Sequence, residues 1–431
     1  MKNALILTYY WPPGSGPGVQ RWLKFCKHMP AFGWKTEVIT VKNGSYPSTD
    51  KSLLEDVPQE TTVHRTRTIE PFAIYNLLRG KKGNAVEVGM SNLKGNPSLF
   101  KRISNYLRAN FFIPDARVGW NTYAFPKAMK LIKQNKPDII ITTGPPHSTH
   151  LMGAKLHELF GITWVADLRD PWTNIYYNQF LNRTQSTIKK DEQLECETLK
   201  KASAIIVATP GLKKEFQERV NNIVFIPNGY DETDFSTAET DQPKKFKLAY
   251  VGNFKEVQQC EALWKAISNL KSEPDFEREF QLEITGNIAQ PIIDSIEKAG
   301  IGNFVTILPF VEHKEAIKRM MNANALLLPI PKSANNKNIL TGKIFEYLAT
   351  QRPILSIGPK VGDAAKMLAE CQKEQMFDYD DQEGIQAFLL KELIEFRKKK
   401  ELKKTGNELF KQYSRKGTTR QLVEYIESLQ S

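Results

Sequence analysis

Short runs of β-branched and aliphatic residues alternate with amphipathic helical patterns along nearly the whole 431-residue chain. This alternation is typical of parallel sheets whose strands are joined by helices on both faces. It predicts an α/β fold. The predicted strands are 4–8, 36–40, 63–67, 138–142, 163–167, 204–208 and 223–226 in the first half, and 247–251, 281–285, 305–308, 325–328 and 353–356 in the second half.

The length and one polar stretch predict two domains. A chain of 431 residues exceeds what one hydrophobic core usually serves. Between 231 and 245 the sequence is polar and turn-rich, with few apolar residues to bury. We therefore predict doubly wound domains over 1–235 and 246–414 that face each other across a cleft. By analogy with proteins of this plan, we expect the last helix, within 415–431, to pack back on the first domain.

The apolar and cysteine patterns favour a cytoplasmic protein without a membrane span. No stretch approaches the roughly 20 consecutive apolar residues that cross a bilayer. The apolar run at 4–8 is too short for a signal peptide. The four cysteines are scattered without a C-x-x-C pair, which is typical of free thiols in a reducing compartment. We expect a soluble or peripheral protein.

A formal net charge of +12 requires a partner such as nucleic acid, anionic lipid or a phosphorylated small molecule. The segment 79–108 carries seven basic residues against the single acid Glu87, interleaved with apolar residues. Such a segment can rest on an anionic membrane surface, and a solvated basic insertion is the alternative. No nucleic acid is expected, because no recognisable reading motif accompanies the charge.

A glycine-rich turn, GSGPGVQR over 14–21, follows the first predicted strand and precedes a helix predicted over 19–32. Glycines at a strand-to-helix turn let the backbone approach a phosphate, and the helix start offers free N–H groups. The turn is therefore a candidate phosphate-binding or acceptor-binding loop, and a tight turn without a ligand is the alternative. Its candidate residues are Gly16, Gly18, Gln20 and Arg21.

Dinucleotide binding is disfavoured for this turn. The sequence lacks the third glycine of G-x-G-x-x-G. No acidic residue ends the second strand, at 38–42, where a ribose-binding carboxylate would be expected.

The most informative segment lies at 328–349, where a predicted strand is followed by a polar loop and a helix that begins near Thr341. Lys343 and Glu346 are three residues apart and share one face of that helix. Such a face presents a cation and helix N–H groups to a diphosphate, while the carboxylate can accept hydrogen bonds from ribose hydroxyls. One helix start could therefore bind a nucleoside diphosphate.

The segment 342–354, GKIFEYLATQRPI, resembles the donor-binding motif of the retaining glycosyltransferases of family 4. Three further segments resemble family motifs in the family's order: the glycine loop at 14–21, PNGYD at 227–231, and YVGNF at 250–254. The resemblance implies the GT-B fold, with two Rossmann-like domains. By position it implies that Glu346 binds the donor ribose and that Lys343, with Gly342 and Gly252 nearby, adjoins the diphosphate.

Two departures from the family pattern concern the donor. The family often has two glutamates flanking seven residues, and the first position falls here on Asn338, which is uncharged. The family's usual Arg and Lys after the second-domain glycine are replaced by the sequence Asn253-Phe254-Lys255. Lys255 is a plausible substitute. These replacements bear on the identity of the donor rather than on the fold.

Polar residues also follow two strands of the first half, where ligands bind in open α/β sheets. Asp167, Arg169 and Asp170 could orient an acceptor hydroxyl or contact the transferred sugar, and Arg169 and Asp170 are the candidate catalytic residues. Their segment resembles D-x-R-D stretches in some family members. A structural ion pair between Asp167 and Arg169 is the alternative. His147 is a further candidate, although we expect a histidine at a helix start with solvated partners.

No metal site is predicted. His147, His150 and His157 lack further ligands at suitable spacing. The D-x-D at 378–380 lies in an acidic loop late in the chain, and we predict a solvated turn there. Lysine and helix dipoles can neutralise a departing diphosphate instead, so neither a cofactor nor a metal is expected.

The combined expectation is a bacterial polysaccharide-type enzyme that transfers a hexosyl unit from a nucleoside diphosphate sugar to a hydroxyl of a glycan or lipid-linked glycan, with retention. The segment 79–108 would rest on the inner face of the plasma membrane. Two alternatives stay open: a sugar-nucleotide epimerase of the same fold, and a non-catalytic basic scaffold at the membrane surface.

Overall fold

The computed structural model describes residues 1–46, 48–70, 106–175, 178, 181–236, 241, 244–333, 335–372, 375–399 and 401–430. They form two compact units by their internal contacts. The first unit comprises Met1–Pro227 and Thr418–Ser431, and the second comprises Asn228–Gly417.

The first unit contains a seven-stranded parallel sheet with the strand order β3-β2-β1-β4-β5-β6-β7. The chain builds outward from β1, returns to its other side at β4 and builds outward again, so the order reverses between β1 and β4. The strands are β1 (Lys2–Leu7), β2 (Trp34–Val41), β3 (Thr62–Thr66), β4 (Ile139–Gly144), β5 (Trp164–Leu168), β6 (Ala204–Val207) and β7 (Ile223–Phe225).

Helices cover both faces of this sheet, because both faces are apolar. Along β1, Leu5 and Leu7 belong to one buried cluster while Ala4 and Ile6 belong to another, as expected for a strand with opposite side chains on opposite faces. The main helices are α1 (Pro17–His28), α2 (Asn121–Gln134), α3 (Ser148–Phe160), α4 (Gln185–Leu199) and α5 (Pro210–Phe216).

The second unit repeats the plan with five parallel strands in the order β10-β9-β8-β11-β12. Its order reverses between β8 and β11. The strands are β8 (Phe246–Val251), β9 (Phe280–Thr285), β10 (Val305–Leu308), β11 (Ala325–Pro329) and β12 (Ile354–Ile357). The helices are α6 (Glu232–Ser236), α7 (Glu261–Asn269), α8 (Phe276–Glu279), α9 (Gln290–Lys298), α10 (His313–Met321), α11 (Gly342–Thr350), α12 (Asp363–Gln372) and α13 (Gln382–Lys399).

The α/β fold with two Rossmann-like units is therefore confirmed, and each predicted strand coincides with an observed one within two residues at either end. The reversal points matter for function, because ligands of doubly wound sheets bind at the carboxyl ends of the strands where the order reverses. The predicted glycine turn follows β1, and the predicted donor-binding loop follows β11. Each candidate segment thus lies at the reversal point of its own unit.

The boundary between the units differs from the predicted linker. Residues 228–235, predicted to end the first domain, belong to the second unit. Backbone hydrogen bonds explain this, since Tyr230 N donates to Tyr413 O and Arg415 N donates to Tyr230 O. These bonds tie the segment to a late part of the same unit.

The last helix, α14 (Arg415–Ser428), contributes its residues from Thr418 onward to the first unit. Leu422, Val423 and Ile426 are buried in the cluster that also contains Ala4 and Ile6 of β1. An amphipathic helix that buries its apolar face on a sheet accounts for this packing.

None of the helices in the described ranges combines the length and the apolar composition that a membrane span requires. Residues 79–105 of the basic segment lie outside the described residues, so its proposed contact with an anionic membrane stays a prediction. At the described end of the segment, Tyr106 and Leu107 are each 45% exposed.

Candidate functional site

The helix α11 begins at the carboxyl side of β11 without a side-chain cap. Thr341 occupies the N-cap position with extended backbone angles, and its hydroxyl makes no capping hydrogen bond. Its buried Oγ1 has no hydrogen-bond partner in the described structure. Gly342 is exposed, and a β-carbon at this position would meet no atom within 4 Å. The first turn of α11 thus offers backbone N–H groups and a partial positive charge to an anion.

Lys343 extends from this first turn across the end of β8. Its Nζ donates a hydrogen bond to the hydroxyl of Tyr250 at 2.8 Å and lies 4.5 Å from the centroid of the Tyr250 ring. Gly252 has φ = 122°, and a β-carbon there would lie 2.6 Å from Lys343 Cε. Only glycine adopts this backbone conformation readily and leaves this space. The backbone just after β8 therefore leaves room for the Lys343 side chain.

Burial lowers the pKa of Lys343 to about 8, because the charged ammonium loses solvation. The carboxylate of Glu346 opposes this effect, and the charge of Lys255 adds to it. Lys255 itself is exposed on the loop after β8. The cations of Lys343 and Lys255 therefore lie near each other, an arrangement that favours binding of an anion.

Glu346 lies one turn after Lys343 and is half-buried. Burial raises the pKa of its carboxyl group, while the charges of His313, Arg415 and Lys343 lower it and that of Asp234 raises it further. Within the described part of the chain, no hydrogen bond or ion pair reaches this carboxylate. A carboxylate that is surrounded by positive charge and lacks a direct partner is suited to accept hydrogen bonds from ligand hydroxyls.

His313 and Arg415 are part of this site and were not predicted from the sequence. His313 begins α10, and its Nε2 lies 2.9 Å from Asp234 Oδ2. Arg415 donates a hydrogen bond from Nη1 to the carbonyl of Asn228. The family-like segment at 227–231 contains Asn228, but no sequence pattern links Arg415, near the C-terminus, to Glu346.

Asn338, at the position of the family's first glutamate, is exposed in a 3-10 turn (Asn336–Asn338) ahead of α11. Its backbone N donates to the carbonyl of Asn335. The side chain is thus accessible to a ligand, and its contact with a sugar stays a prediction.

In the first unit, the glycine turn leads into α1 as predicted. Gly16 has φ = 104° and forms the N-cap without a side-chain hydrogen bond, while Gln20 is half-buried in the second turn. Gly18 has a further role that the sequence did not indicate: a β-carbon there would collide with the guanidinium of Arg169. The turn therefore places a cation from the end of β5 against the start of α1.

Arg21, and not Arg169, forms the buried ion pair with Asp167. Its Nη2 lies 2.8 Å from Asp167 Oδ1, and both side chains are fully buried. Asp167 also accepts hydrogen bonds from Trp22 Nε1 at 2.7 Å and Thr143 Oγ1 at 2.9 Å. The alternative of an Asp167–Arg169 pair was wrong, because α1 directs Arg21 into the sheet. Because its side chain is buried in this pair, Arg21 stabilises the start of α1 and does not face a ligand.

Burial alone would raise the pKa of Asp167, but the charge of Arg21 and the hydrogen bonds from Arg21, Trp22 and Thr143 lower it below its ordinary value. The carboxyl group is therefore ionised at neutral pH.

His147 occupies the predicted helix start, but its expected solvated environment was wrong. The residue is 5% exposed, and its ring stacks on Trp172 with centroids 5.3 Å apart. Its Nε2 donates to the carbonyl of Pro171 at 3.1 Å, while Nδ1 is buried near Gly144. Burial, with the charges of His150 and Arg169, holds the pKa of His147 well below its usual value. The ring is therefore neutral at neutral pH, and a catalytic role for His147 stays a prediction.

Asp170 is exposed beside Arg169, whose own side chain is only 11% exposed where it packs against the glycine turn. The Asp170 side chain is 52% exposed, and its Oδ2 lies 3.9 Å from Arg169 Nη2. The Nε of Arg169 is buried without a hydrogen-bond partner in the described structure. These two side chains can meet a ligand hydroxyl or a charged group at the end of β5.

Among the described residues, no group of three or more His, Cys, Asp or Glu side chains is arranged to hold a metal ion. His150 is fully buried, and its Nδ1 lies 2.8 Å from Thr142 Oγ1. The expectation that the protein acts without a metal stays a prediction.

Comparison with protein families matches residues 19–234, just over half of the chain, to the model of Glycosyltransferase Family 4. Comparison with curated protein sequences gives no match. The matched residues contain α1 from its third residue onward, Arg169 and Asp170, together with the segment at 227–231.

Solved structures share the fold over the whole chain. Sucrose-phosphate synthase from Thermosynechococcus elongatus is 14% identical with a TM-score of 0.62, covering 100% of this chain and 99% of that one. The E. coli structure described as trehalose-6-phosphate bound with UDP-2-fluoro glucose is 12% identical with a TM-score of 0.58, covering 98% of each chain. S. aureus TarM, in complex with fondaparinux, alpha-GlcNAc-glycerol and UDP, is 12% identical with a TM-score of 0.53, covering 100% and 99%. At these identities the likeness shows the fold alone.

Proposed function

Because the chain belongs to glycosyltransferase family 4 and has the GT-B fold, we propose that it transfers a hexosyl unit from a nucleoside diphosphate sugar to a hydroxyl of a glycan or lipid-linked glycan. The proposed transfer retains the anomeric configuration, as the family resemblance implies. The donor is assigned to the second unit and the acceptor to the first unit.

The observation that supports donor binding most directly is the start of α11. It combines uncapped N–H groups, the ammonium of Lys343 beside Gly252, and the carboxylate of Glu346 one turn later. A nucleoside diphosphate carries groups that complement these features. Its anionic pyrophosphate matches the N–H groups and the ammonium of Lys343, and its ribose offers two hydroxyl donors to Glu346. A single helix start can therefore recognise both parts of the donor.

Catalysis would depend mainly on stabilising the leaving group. The bond between the anomeric carbon and the diphosphate oxygen breaks, and the nucleoside diphosphate leaves with the electron pair. The acceptor oxygen bonds to the anomeric carbon, and its proton passes to the departing diphosphate. Lys343 and the N–H groups of α11 oppose the charge that develops on the departing diphosphate. Lys255, exposed near Lys343, can add a second cation. No step in this scheme requires a metal.

Acceptor binding is proposed at the glycine turn of the first unit. Arg169, held against Gly18, and the exposed Asp170 can orient an acceptor hydroxyl at the end of β5. The buried Arg21–Asp167 pair fixes the start of α1 and thereby the turn. Membrane attachment through 79–108 would supply lipid-linked acceptors for polysaccharide biosynthesis on the cytoplasmic face, and this attachment is likewise proposed.

Two of the similar structures suggest where to begin the donor search. The TarM structure contains UDP, and the E. coli structure contains UDP-2-fluoro glucose. We therefore propose UDP-sugars as the first members of a panel that also includes GDP-, ADP-, CDP- and dTDP-sugars.

Two measurements on the full chain test the proposal. Isothermal titration with UDP, GDP, ADP, CDP and dTDP should detect binding of at least one, and release of the same nucleoside diphosphate from its sugar should rise when a glycan acceptor is added. The anomeric configuration of the product, read by NMR, tests retention. Absence of binding by every nucleotide would support the scaffold, whereas epimerisation of the sugar without release of nucleoside diphosphate would support the epimerase.

A further inference from the structure

Tyr250 is a buried residue at the carboxyl end of β8, and it begins the family-like segment 250–254, to which the resemblance gives no role for the tyrosine itself. Its hydroxyl makes two hydrogen bonds of opposite sense: it donates to the carbonyl of Asn253 at 2.6 Å and accepts from Lys343 Nζ at 2.8 Å. Since its one proton is engaged by Asn253, its lone pair is directed to the ammonium. The hydroxyl is therefore oriented as an acceptor for Lys343.

The Tyr250 ring is fixed by Phe254, which lies just after β8. Phe254 stacks against it with ring centroids 4.3 Å apart, and both residues are almost completely buried. The backbone of Phe254 is held in turn, because its N donates to Asn287 O at 2.7 Å and its O accepts from Ala289 N at 2.9 Å. A ring packed in this way presents its face and its hydroxyl in one defined position.

Lysine is a flexible side chain with four rotatable bonds, and holding it in one position requires specific contacts. Two contacts hold Lys343 here, one with the Tyr250 hydroxyl and one with the Tyr250 ring at 4.5 Å from Nζ. Gly252 leaves the space that the side chain occupies. The Tyr250 hydroxyl occupies one of the three N–H bonds of the ammonium, and two others remain for a ligand.

We propose that Tyr250 is the positioning residue for Lys343, and that its hydroxyl and ring hold the ammonium where the pyrophosphate of the donor binds. This inference rests on the proposed function.

The test is Tyr250→Phe in the full chain, which keeps the ring and removes the hydroxyl. We expect the affinity for the nucleoside diphosphate that binds the wild type best to fall about 10-fold or more, as for loss of a hydrogen bond to a charged group. The affinity for the parent nucleoside, which lacks phosphates, should change less than 2-fold. Tyr250→Leu, which also removes the ring face, should lower diphosphate affinity further.

A pH profile separates positioning from a purely structural effect. A hydrogen bond to the ammonium favours its charged form, so Tyr250→Phe should move the alkaline loss of diphosphate affinity to lower pH. A structural defect alone would lower affinity at every pH without moving the midpoint.

Tyr347→Phe is the matched control. Tyr347 lies on α11, the helix that carries Lys343, and is fully buried. Its hydroxyl accepts a hydrogen bond from Val251 N at 3.3 Å rather than from Lys343. Equal losses of diphosphate affinity in Tyr250→Phe and Tyr347→Phe, or an unchanged affinity in Tyr250→Phe while Lys343→Met weakens binding, would overturn the proposal. Failure of the wild type to bind any nucleotide would instead overturn the proposed function.

Discussion

Arg21 and Asp167 form a fully buried ion pair that joins the first helix of the chain to the fifth strand of the first sheet, with Arg21 Nη2 2.8 Å from Asp167 Oδ1. Asp167 also holds Trp22 and Thr143 through hydrogen bonds. One carboxylate thus connects α1, β4 and β5 beneath the glycine turn. This relationship explains why the arginine that ends the glycine-rich segment 14–21 does not face solvent.

Removing one partner of this pair should destabilise the first unit strongly. Asp167→Asn leaves the Arg21 guanidinium buried without its counter-charge, and such changes cost about 3–5 kcal/mol of unfolding free energy. Urea unfolding followed by tryptophan fluorescence is a suitable measurement, because six of the seven tryptophans precede residue 228. Asp170→Asn, at an exposed carboxylate, is the control and should change the unfolding free energy by about 0.5 kcal/mol or less. A loss below about 1 kcal/mol in Asp167→Asn would contradict the buried-pair interpretation.

Diphosphate binding should weaken as pH rises through about 8. Burial lowers the pKa of Lys343 to about 8, so the ammonium is charged below this pH and loses its charge above it. Dissociation constants of the bound nucleoside diphosphate between pH 6.5 and 9.5 should show the change, while those of the parent nucleoside stay flat. Lys343→Met should remove this alkaline dependence together with much of the affinity. A flat profile in the wild type would count against contact between Lys343 and the diphosphate.

Glu346→Gln should weaken binding of the nucleotide through the ribose. The substitution keeps the shape of the side chain but replaces charge-assisted hydrogen bonds, each worth about 1.5–3 kcal/mol, with weaker ones. We expect about a 10-fold or greater loss of affinity for the nucleoside diphosphate and little change for its 2′,3′-dideoxy analogue, measured by titration calorimetry. Asp378→Asn, in the late acidic loop, is the control. Equal losses for both ligands would refute the ribose assignment.

Two glycines at the donor site should respond differently to alanine. Gly342→Ala meets no neighbouring atom and should leave the unfolding free energy unchanged or raise it by up to about 1 kcal/mol, while the added methyl weakens diphosphate binding at the helix start. Gly252→Ala faces both φ = 122° and the side chain of Lys343, so it should lower stability as well as affinity. Thermal unfolding and nucleotide titration measure the two effects. Stabilisation by Gly252→Ala would contradict the observed geometry.

Sugar transfer should persist in EDTA. Lys343 and the start of α11 provide positive charge at the proposed diphosphate site, and the described residues form no cluster suited to a metal. The measurement compares release of the nucleoside diphosphate with and without the chelator, using acceptor at a fixed concentration. Loss of activity in EDTA that Mg²⁺ or Mn²⁺ restores would overturn this expectation.

The sequence by itself determined the strands, the two-unit plan and the helix start that carries Lys343 and Glu346, because these depend on local patterns. Side chains that alternate between two apolar faces define a strand within a few residues, and a glycine turn before a helix defines an anion-binding position. Local patterns of this kind therefore suffice to locate the strand ends that carry the candidate ligand-binding segments.

Tertiary structure decided which side chains meet across the chain. Arg21 and Asp167 are 146 residues apart, Tyr250 and Lys343 are 93 apart, and Arg415 approaches Glu346 from near the C-terminus. Such pairings leave no periodic or local signal, since they depend on the order of strands in the sheet and on the direction in which each helix points its side chains. The same order explains why His147 is buried against Trp172 rather than solvated: packing on β4 and β5, not its place at a helix start, sets its environment.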